Sequence, residues 1–184
     1  MSLVGIVGKK RAGKDTLAGY LIPHGYTRFA FADPLKVALL ATNPLYKGGQ
    51  RLGDLIDSTG WETAKALPEV RRLLQEFGGA VRALDRDFWV RATLPHAVAN
   101  GRAVVTDVRY RNEADGIRAA GGYLVRVVRP DCPTTLRTGD GQTVPLDTHD
   151  SETELDGYPV DLEVVNHTLE DLEAAAATIL ARAA

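Results

Sequence analysis

The reading of Gly8-Lys9-Lys10-Arg11-Ala12-Gly13-Lys14-Asp15-Thr16 decides the fold. The stretch follows an apolar run, Leu3-Val4-Gly5-Ile6-Val7, and opens a helical pattern through Leu17, Ala18, Leu21 and Ile22. Strand, glycine-bounded turn, lysine and helix, in that order, are what a phosphate-binding loop requires. Gly8 and Gly13 let the backbone curl so that successive N–H groups converge on one anion. The helix that follows adds the positive end of its dipole at the same point. Lys14 is placed to reach the β- and γ-phosphates of a nucleotide as a mobile point charge. The Ser or Thr that usually follows this lysine is missing: Asp15 stands there, with Thr16 next. The alternative is a glycine-rich turn carrying exposed basic residues, and the strand-to-helix context favours the loop.

Composition limits what such a loop can serve. At 184 residues and 45% hydrophobic, the chain suits one compact domain, 1–184, with a sizeable core. A net charge of -2 argues against a general binder of nucleic acid or of membrane surfaces. Sixteen of the 22 basic residues are arginine, a bias that suits recognition of a small anionic substrate and equally suits a GC-rich genome. Cys132 is the single cysteine, which excludes an internal disulfide and a cysteine-built zinc site. No apolar run is long enough to span a bilayer and the N-terminus lacks a secretory pattern, so a cytoplasmic location is expected.

Beyond the loop, strand and helix patterns alternate. The first helix should stop near Pro23-His24-Gly25, and Thr27-Arg28-Phe29-Ala30-Phe31 reads as a second strand. Asp33 is placed to cap a helix beginning at Pro34, a role that competes with substrate binding at the strand's carboxyl end. A polar stretch to Thr59-Gly60 reads as loop with a short helix around Leu52, Leu55 and Ile56. Pro68 starts the next helix, with Val70, Leu73, Leu74 and Phe77 at i, i+3, i+4 and i+7 and with Arg71, Arg72, Gln75 and Glu76 on its other faces. Gly78-Gly79 should separate it from a further helical stretch containing Arg82, Phe88, Trp89, Arg91 and Val98. Trp61 and Trp89 could stack on a base, although aromatics at helical spacing are more often core.

Ala103-Val104-Val105-Thr106 is a short buried strand ending in Asp107, an acidic tip suited to holding Mg²⁺ directly or through water. A helix then ends at Gly121-Gly122, and Tyr123 to Val128 form the fourth strand. The polar connection 131–150 is long enough to be functional or mobile: either a lid carrying Arg137, or a surface hairpin turning at Gly139-Asp140-Gly141. His149 has no Cys or His partner at metal spacing. Leu162 to Val165 make a fifth strand ending in Asn166, and Thr168 caps a last amphipathic helix. Five strands with helical crossovers predict a three-layer α/β fold with a parallel sheet.

The segments "GKKRAGKDTLA", "FAFADPLK", "LLQEFGGAVR" followed by "DFW", "VVTDVRYRNEADGIRAAGGYLVRVVRP" and "HDSETELD" resemble, in order, deoxynucleoside monophosphate kinases of the bacteriophage type. The resemblance implies the nucleoside monophosphate kinase fold, a sheet of order 2-3-1-4-5 with helices on both faces, and transfer of the ATP γ-phosphate to a dNMP. It implies ATP and Mg²⁺ as cofactors and a nucleoside monophosphate as the other partner, and it leaves homodimerisation open. Gly8, Arg11, Ala12, Gly13, Lys14, Asp15 and Thr16 would hold the ATP phosphates, and Asp15 and Asp107 the metal. Asp33, Lys36, Arg72, Gln75 and Arg82 match the acceptor-binding region, about 33–100. Arg129 and Arg137 would lie in or near the lid, about 131–150, and join Lys14 in catalysis. Three rivals share the loop: a kinase for dephospho-coenzyme A, phosphomevalonate or a sugar acid; a nucleotide-binding switch without acceptor; and a structural protein with a vestigial loop. Asp33-Pro34-Leu35-Lys36 and the Arg72, Gln75 and Arg82 group argue against a bare switch.

Overall fold

The computed structural model describes residues 2–131, 135–137, 143–145 and 153–182; for 135–137 and 143–145 it describes the backbone alone. The strands are β1 Ser2–Val7, β2 Thr27–Phe29, β3 Arg102–Val108, β4 Tyr123–Val128, β5 Thr135–Arg137, β6 Thr143–Pro145 and β7 Leu162–Val165. The helices are α1 Lys14–Leu21, α2 Ala32–Thr42, α3 Leu52–Ala64, α4 Pro68–Leu84, α5 Phe88–Ala99, α6 Arg111–Ala119 and α7 Leu169–Arg182. Two compact units result, residues 1–30 with 93–184 and residues 31–92.

The first unit is built on a five-stranded parallel sheet of order β2-β3-β1-β4-β7, with β1 at its centre. Counting β7 as the fifth strand, this is the expected order 2-3-1-4-5. Strand alternation sends β1 side chains to opposite faces. Val4 and Ile6 join Val104, Val125, Val127 and Val164 under Leu17 and Leu21 of α1 and Leu172 and Ile179 of α7. On the other face Gly5 makes room for α6: a Cβ there would lie 2.6 Å from Ile117 Cδ1 and 2.9 Å from Leu124 Cδ2. Both faces being covered, the strands read as nearly continuous apolar runs.

The second unit is helical. Leu39, Leu52, Leu55, Ile56, Ala64 and Val70 form its core, with Trp61, Leu73, Leu74 and Phe77 packed around them. Helix α2 lies against α4 at Gly78, where a Cβ would stand 2.5 Å from Leu35 Cδ1.

Several boundaries differ from the sequence reading. Strand β2 stops at Phe29, and α2 begins at Ala32 with Phe31 as its N-cap, so Asp33 sits inside the first turn and is not the cap. The expected short helix around Leu52, Leu55 and Ile56 is the start of α3, which runs on to Ala64 with a break in helical geometry at Gly60, φ 74° and ψ 161°. Gly78-Gly79 does not break a helix: α4 continues to Leu84, because Gly78 serves the close approach of Leu35. Trp89 is buried and its indole N–H donates to the Gly78 carbonyl over 3.3 Å, which makes it core rather than a stacking platform. Within 131–150, β5 and β6 pair antiparallel as a hairpin, Leu136 opposite Val144. The expected turn at Gly139-Asp140-Gly141 and His149 lie outside the described residues, as do 132–134, 138, 142, 146–148 and 150.

Filling the Gly5 notch tests this packing. Gly5→Val should lower thermal stability by about 1–3 kcal/mol through overpacking against Ile117 and Leu124, read as a fall in the melting temperature.

Candidate functional site

The loop between β1 and α1 has the conformation that the glycines were expected to permit. Gly8 has φ 156°, Gly13 φ 106°, and Arg11 between them also adopts a positive φ of 63°. A Cβ on Gly8 would lie 2.5 Å from the Val127 carbonyl oxygen, and one on Gly13 would lie 2.5 Å from Asn166 Nδ2. Both glycines are therefore required by close approach as well as by backbone angle. The Ala12 N–H donates to the Lys9 carbonyl at 3.2 Å, closing the turn, and the Leu17 N–H donates to the Gly13 carbonyl at 3.0 Å as α1 begins.

Lys14 is only 8% exposed, and its ammonium donates to the Lys9 carbonyl at 2.7 Å. The side chain thus folds back along the inside of the loop. Asp15 and Thr16 are exposed in the first turn of α1, where a carboxylate is favoured by the dipole. Lys9 pairs with Asp156 at 3.5 Å on the surface.

Asn166 was read from sequence only as the end of a strand. It is 6% exposed, its backbone N–H donates to the Val128 carbonyl at 2.7 Å, and its side-chain N–H donates to the Ala12 carbonyl at 2.7 Å. A bond between residues 154 positions apart carries no local signal in the sequence.

Asp107 lies within β3 rather than at its tip, since the strand runs on to Val108. The β1–β3 register sets Val7 beside Val108, so Asp107 is one residue short of the level at which the loop leaves the sheet. Arg129 is exposed directly after β4 at the same sheet edge. Arg137 belongs to β5, and its side chain is outside the description. Among the described residues no group of three or more His, Cys, Asp or Glu forms a ready metal cage. The carboxylates of Asp15 and Asp107 are hard oxygen donors, the type that Mg²⁺ takes one or two at a time beside waters and phosphate oxygens.

In the second unit, α4 sorts the polar residues by phase. Arg71, Gln75, Gly78 and Arg82 stand at i, i+4, i+7 and i+11, one stripe of the helix. Gly78 on that stripe is buried, and Arg71, Gln75 and Arg82 are partly buried. Arg72 points elsewhere: it is exposed and forks onto Glu69, at 2.6 and 3.0 Å, while also binding Glu76. That fork holds the Glu69 carboxyl below its ordinary range and raises Arg72. The resemblance groups Arg72 with Gln75 and Arg82; along the unbroken helix it is Arg71 that shares their stripe. On α2, Lys36 Nζ lies 3.6 Å from Asp33 and 6.0 Å from the centre of the Trp61 ring, so these three residues form one cluster.

The model of the family described as deoxynucleotide monophosphate kinase matches residues 54–175. A protein of Acanthamoeba polyphaga mimivirus, provisionally named deoxynucleotide monophosphate kinase, is 34% identical over 193 residues, covering 93% of this chain and 92% of its own. Among solved structures, dephospho-CoA kinase from Campylobacter jejuni aligns over 98% of this chain and 96% of its own at 12% identity, with a TM-score of 0.48. Shikimate kinase from Aquifex aeolicus vf5 aligns over 97% and 96% at 12% identity, with a TM-score of 0.47.

The turn after Asp107 is stabilised by Glu113, 3% exposed, whose carboxylate accepts the N–H groups of Arg109 at 2.8 Å and Tyr110 at 3.1 Å. The Arg111 N–H that follows donates to Glu154 at 3.0 Å. Glu113→Ala should therefore destabilise the protein by about 1–3 kcal/mol, since two donors lose a charged acceptor. Glu113→Gln, which keeps one acceptor oxygen, should fall between it and the wild type in thermal melts.

Proposed function

Since the chain belongs to the deoxynucleotide monophosphate kinase family, we propose that it transfers the γ-phosphate of ATP to a deoxynucleoside monophosphate with Mg²⁺ as the accompanying cation. The observation that carries the donor half is Lys14, folded inside a loop whose glycines cannot accept a side chain. Such a loop, with backbone N–H groups converging beside the Lys14 ammonium, favours an anionic group such as a polyphosphate.

On this reading the loop residues Gly8 and Arg11 to Thr16 bind the ATP phosphates, with Lys14 following the γ-phosphoryl group as it moves. Asp15 and Asp107 would hold Mg²⁺, directly or through water. When bound, that ion neutralises charge on the β- and γ-oxygens. No nucleophilic side chain is needed: the acceptor's own phosphate oxygen attacks, and the protein contributes positioning and charge. Arg129 and Arg137 are the candidates for stabilising the transferring group from the segment that follows β4. A lid formed by 131–150 would exclude water and so suppress hydrolysis of ATP.

The acceptor phosphate falls to Arg71 and Arg82, with Gln75 between them on the same stripe of α4, and Asp33, Lys36 and Trp61 form a second polar group for the nucleoside. Arg72 drops out of this set because it lies off that stripe, on the exposed face of α4 beside Glu69 and Glu76. Kinases of dephospho-coenzyme A, phosphomevalonate or a sugar acid would share the donor loop and differ only in these acceptor residues, and the family match favours a nucleotide acceptor.

Arg71→Gln or Arg82→Gln should raise the KM for the nucleoside monophosphate by about tenfold or more, the worth of a charged hydrogen bond. Neither should move the KM for ATP comparably. Arg72→Gln should leave both constants within about twofold of wild type, as expected for an exposed ion pair. An acceptor KM that rises for Arg72 and not for Arg71 would return the site to the other face of α4.

A further inference from the structure

We infer that Asn166 is a positioning residue for the donor loop, which it orients through the Ala12 carbonyl. The inference rests on the reading that the loop binds ATP phosphates. Its geometric basis is a single peptide unit. All peptide bonds in the described chain are trans, and in a planar trans peptide the C=O and the next N–H point in opposite directions. Asn166 Nδ2 takes the Ala12 carbonyl at 2.7 Å on the protein side of the loop. The N–H of Gly13, in the same peptide plane, is thereby turned toward the opposite side.

The anchor is rigid at both ends. The Asn166 backbone N–H is fixed on Val128 at the end of β4, over 2.7 Å. The residue is 6% exposed, and Leu172 closes over Gly13, 3.2 Å from where a Cβ would sit. Without this contact the Ala12–Gly13 peptide could rotate through the freedom that Gly13 provides, and a carbonyl oxygen turned inward would repel phosphate oxygens. The choice of side chain follows. A carbonyl must be met by a donor, and the amide of Asn supplies one without adding charge beside a polyphosphate site. Asp at this position would set an acceptor against an acceptor and place a negative charge behind the loop.

The tests are Asn166→Asp and Asn166→Ser, the second a smaller change that keeps a weak hydroxyl donor out of reach of Ala12. ATP affinity is measured directly by calorimetry with ATP and Mg²⁺, alongside both KM values and the melting temperature. Both variants should bind ATP about tenfold more weakly or worse, Asp more so than Ser, while the acceptor KM stays within about twofold. A lowered melting temperature with ATP affinity within about twofold of wild type would overturn the proposal, as would equal losses for both substrates. If Asn166→Asp does not fold, Asn166→Ser alone decides between these outcomes. Wild-type protein that binds no ATP would refute the donor-loop reading itself, and wild-type binding with unchanged variants would refute only the role of Asn166.

Discussion

A Cβ at Gly8 would stand 2.5 Å from the carbonyl oxygen of Val127, and one at Gly13 would stand 2.5 Å from the amide of Asn166. The donor loop is thus pressed at both glycines against the carboxyl ends of β4 and β7. That constraint explains much of the first unit. The loop can lie so close only because β1 is central in a parallel sheet whose strands all end at the same edge. The sheet can be parallel only because α1 and α7 cover one face and α6 the other, burying the apolar runs on both sides. Within that loop the Asn166 amide donates to the Ala12 carbonyl, and the Lys14 ammonium donates to the Lys9 carbonyl.

The segment 153–158 is hydrogen-bonded to β4 and to α6. Arg126 of β4 donates to the carbonyls of Leu155 at 2.9 Å and Tyr158 at 2.6 Å, and the Tyr158 hydroxyl meets Asp115 at 2.6 Å. Burial, reinforced by the Asp115 carboxylate, pushes the Tyr158 hydroxyl above its ordinary range, so it remains a neutral donor at physiological pH. Glu154 accepts the Arg111 N–H at the start of α6, and Asp156 pairs with Lys9 of the loop.

What the sequence made legible follows from the range of the interactions. The loop, the five strands and the terminal helix rest on local patterns: glycine spacing, apolar runs and amphipathic periodicity. The helical unit was less legible because glycine there does two jobs that spacing cannot separate. Gly60 kinks α3 without ending it, and Gly78 lets Leu35 approach α4 without breaking it. The unbroken helix also puts Arg71, which the resemblance does not single out, on one stripe with Arg82. Asn166 was missed for a different reason. Its partner lies at the other end of the chain, and an Asn at a strand end looks like any turn residue.

At the centre stands a loop that holds ATP while its γ-phosphoryl group passes to a nucleoside monophosphate and leaves ADP. That transfer is tested most directly by coupled measurement of ADP release from ATP and Mg²⁺ across the four dNMPs and AMP, GMP, CMP and UMP, with Lys14→Ala as the control. The account predicts that at least one dNMP stimulates ADP release and that Lys14→Ala reduces that rate by roughly a hundredfold or more, with little change in melting temperature. ADP release that no monophosphate stimulates, or a Lys14→Ala variant with near-normal turnover, would contradict it.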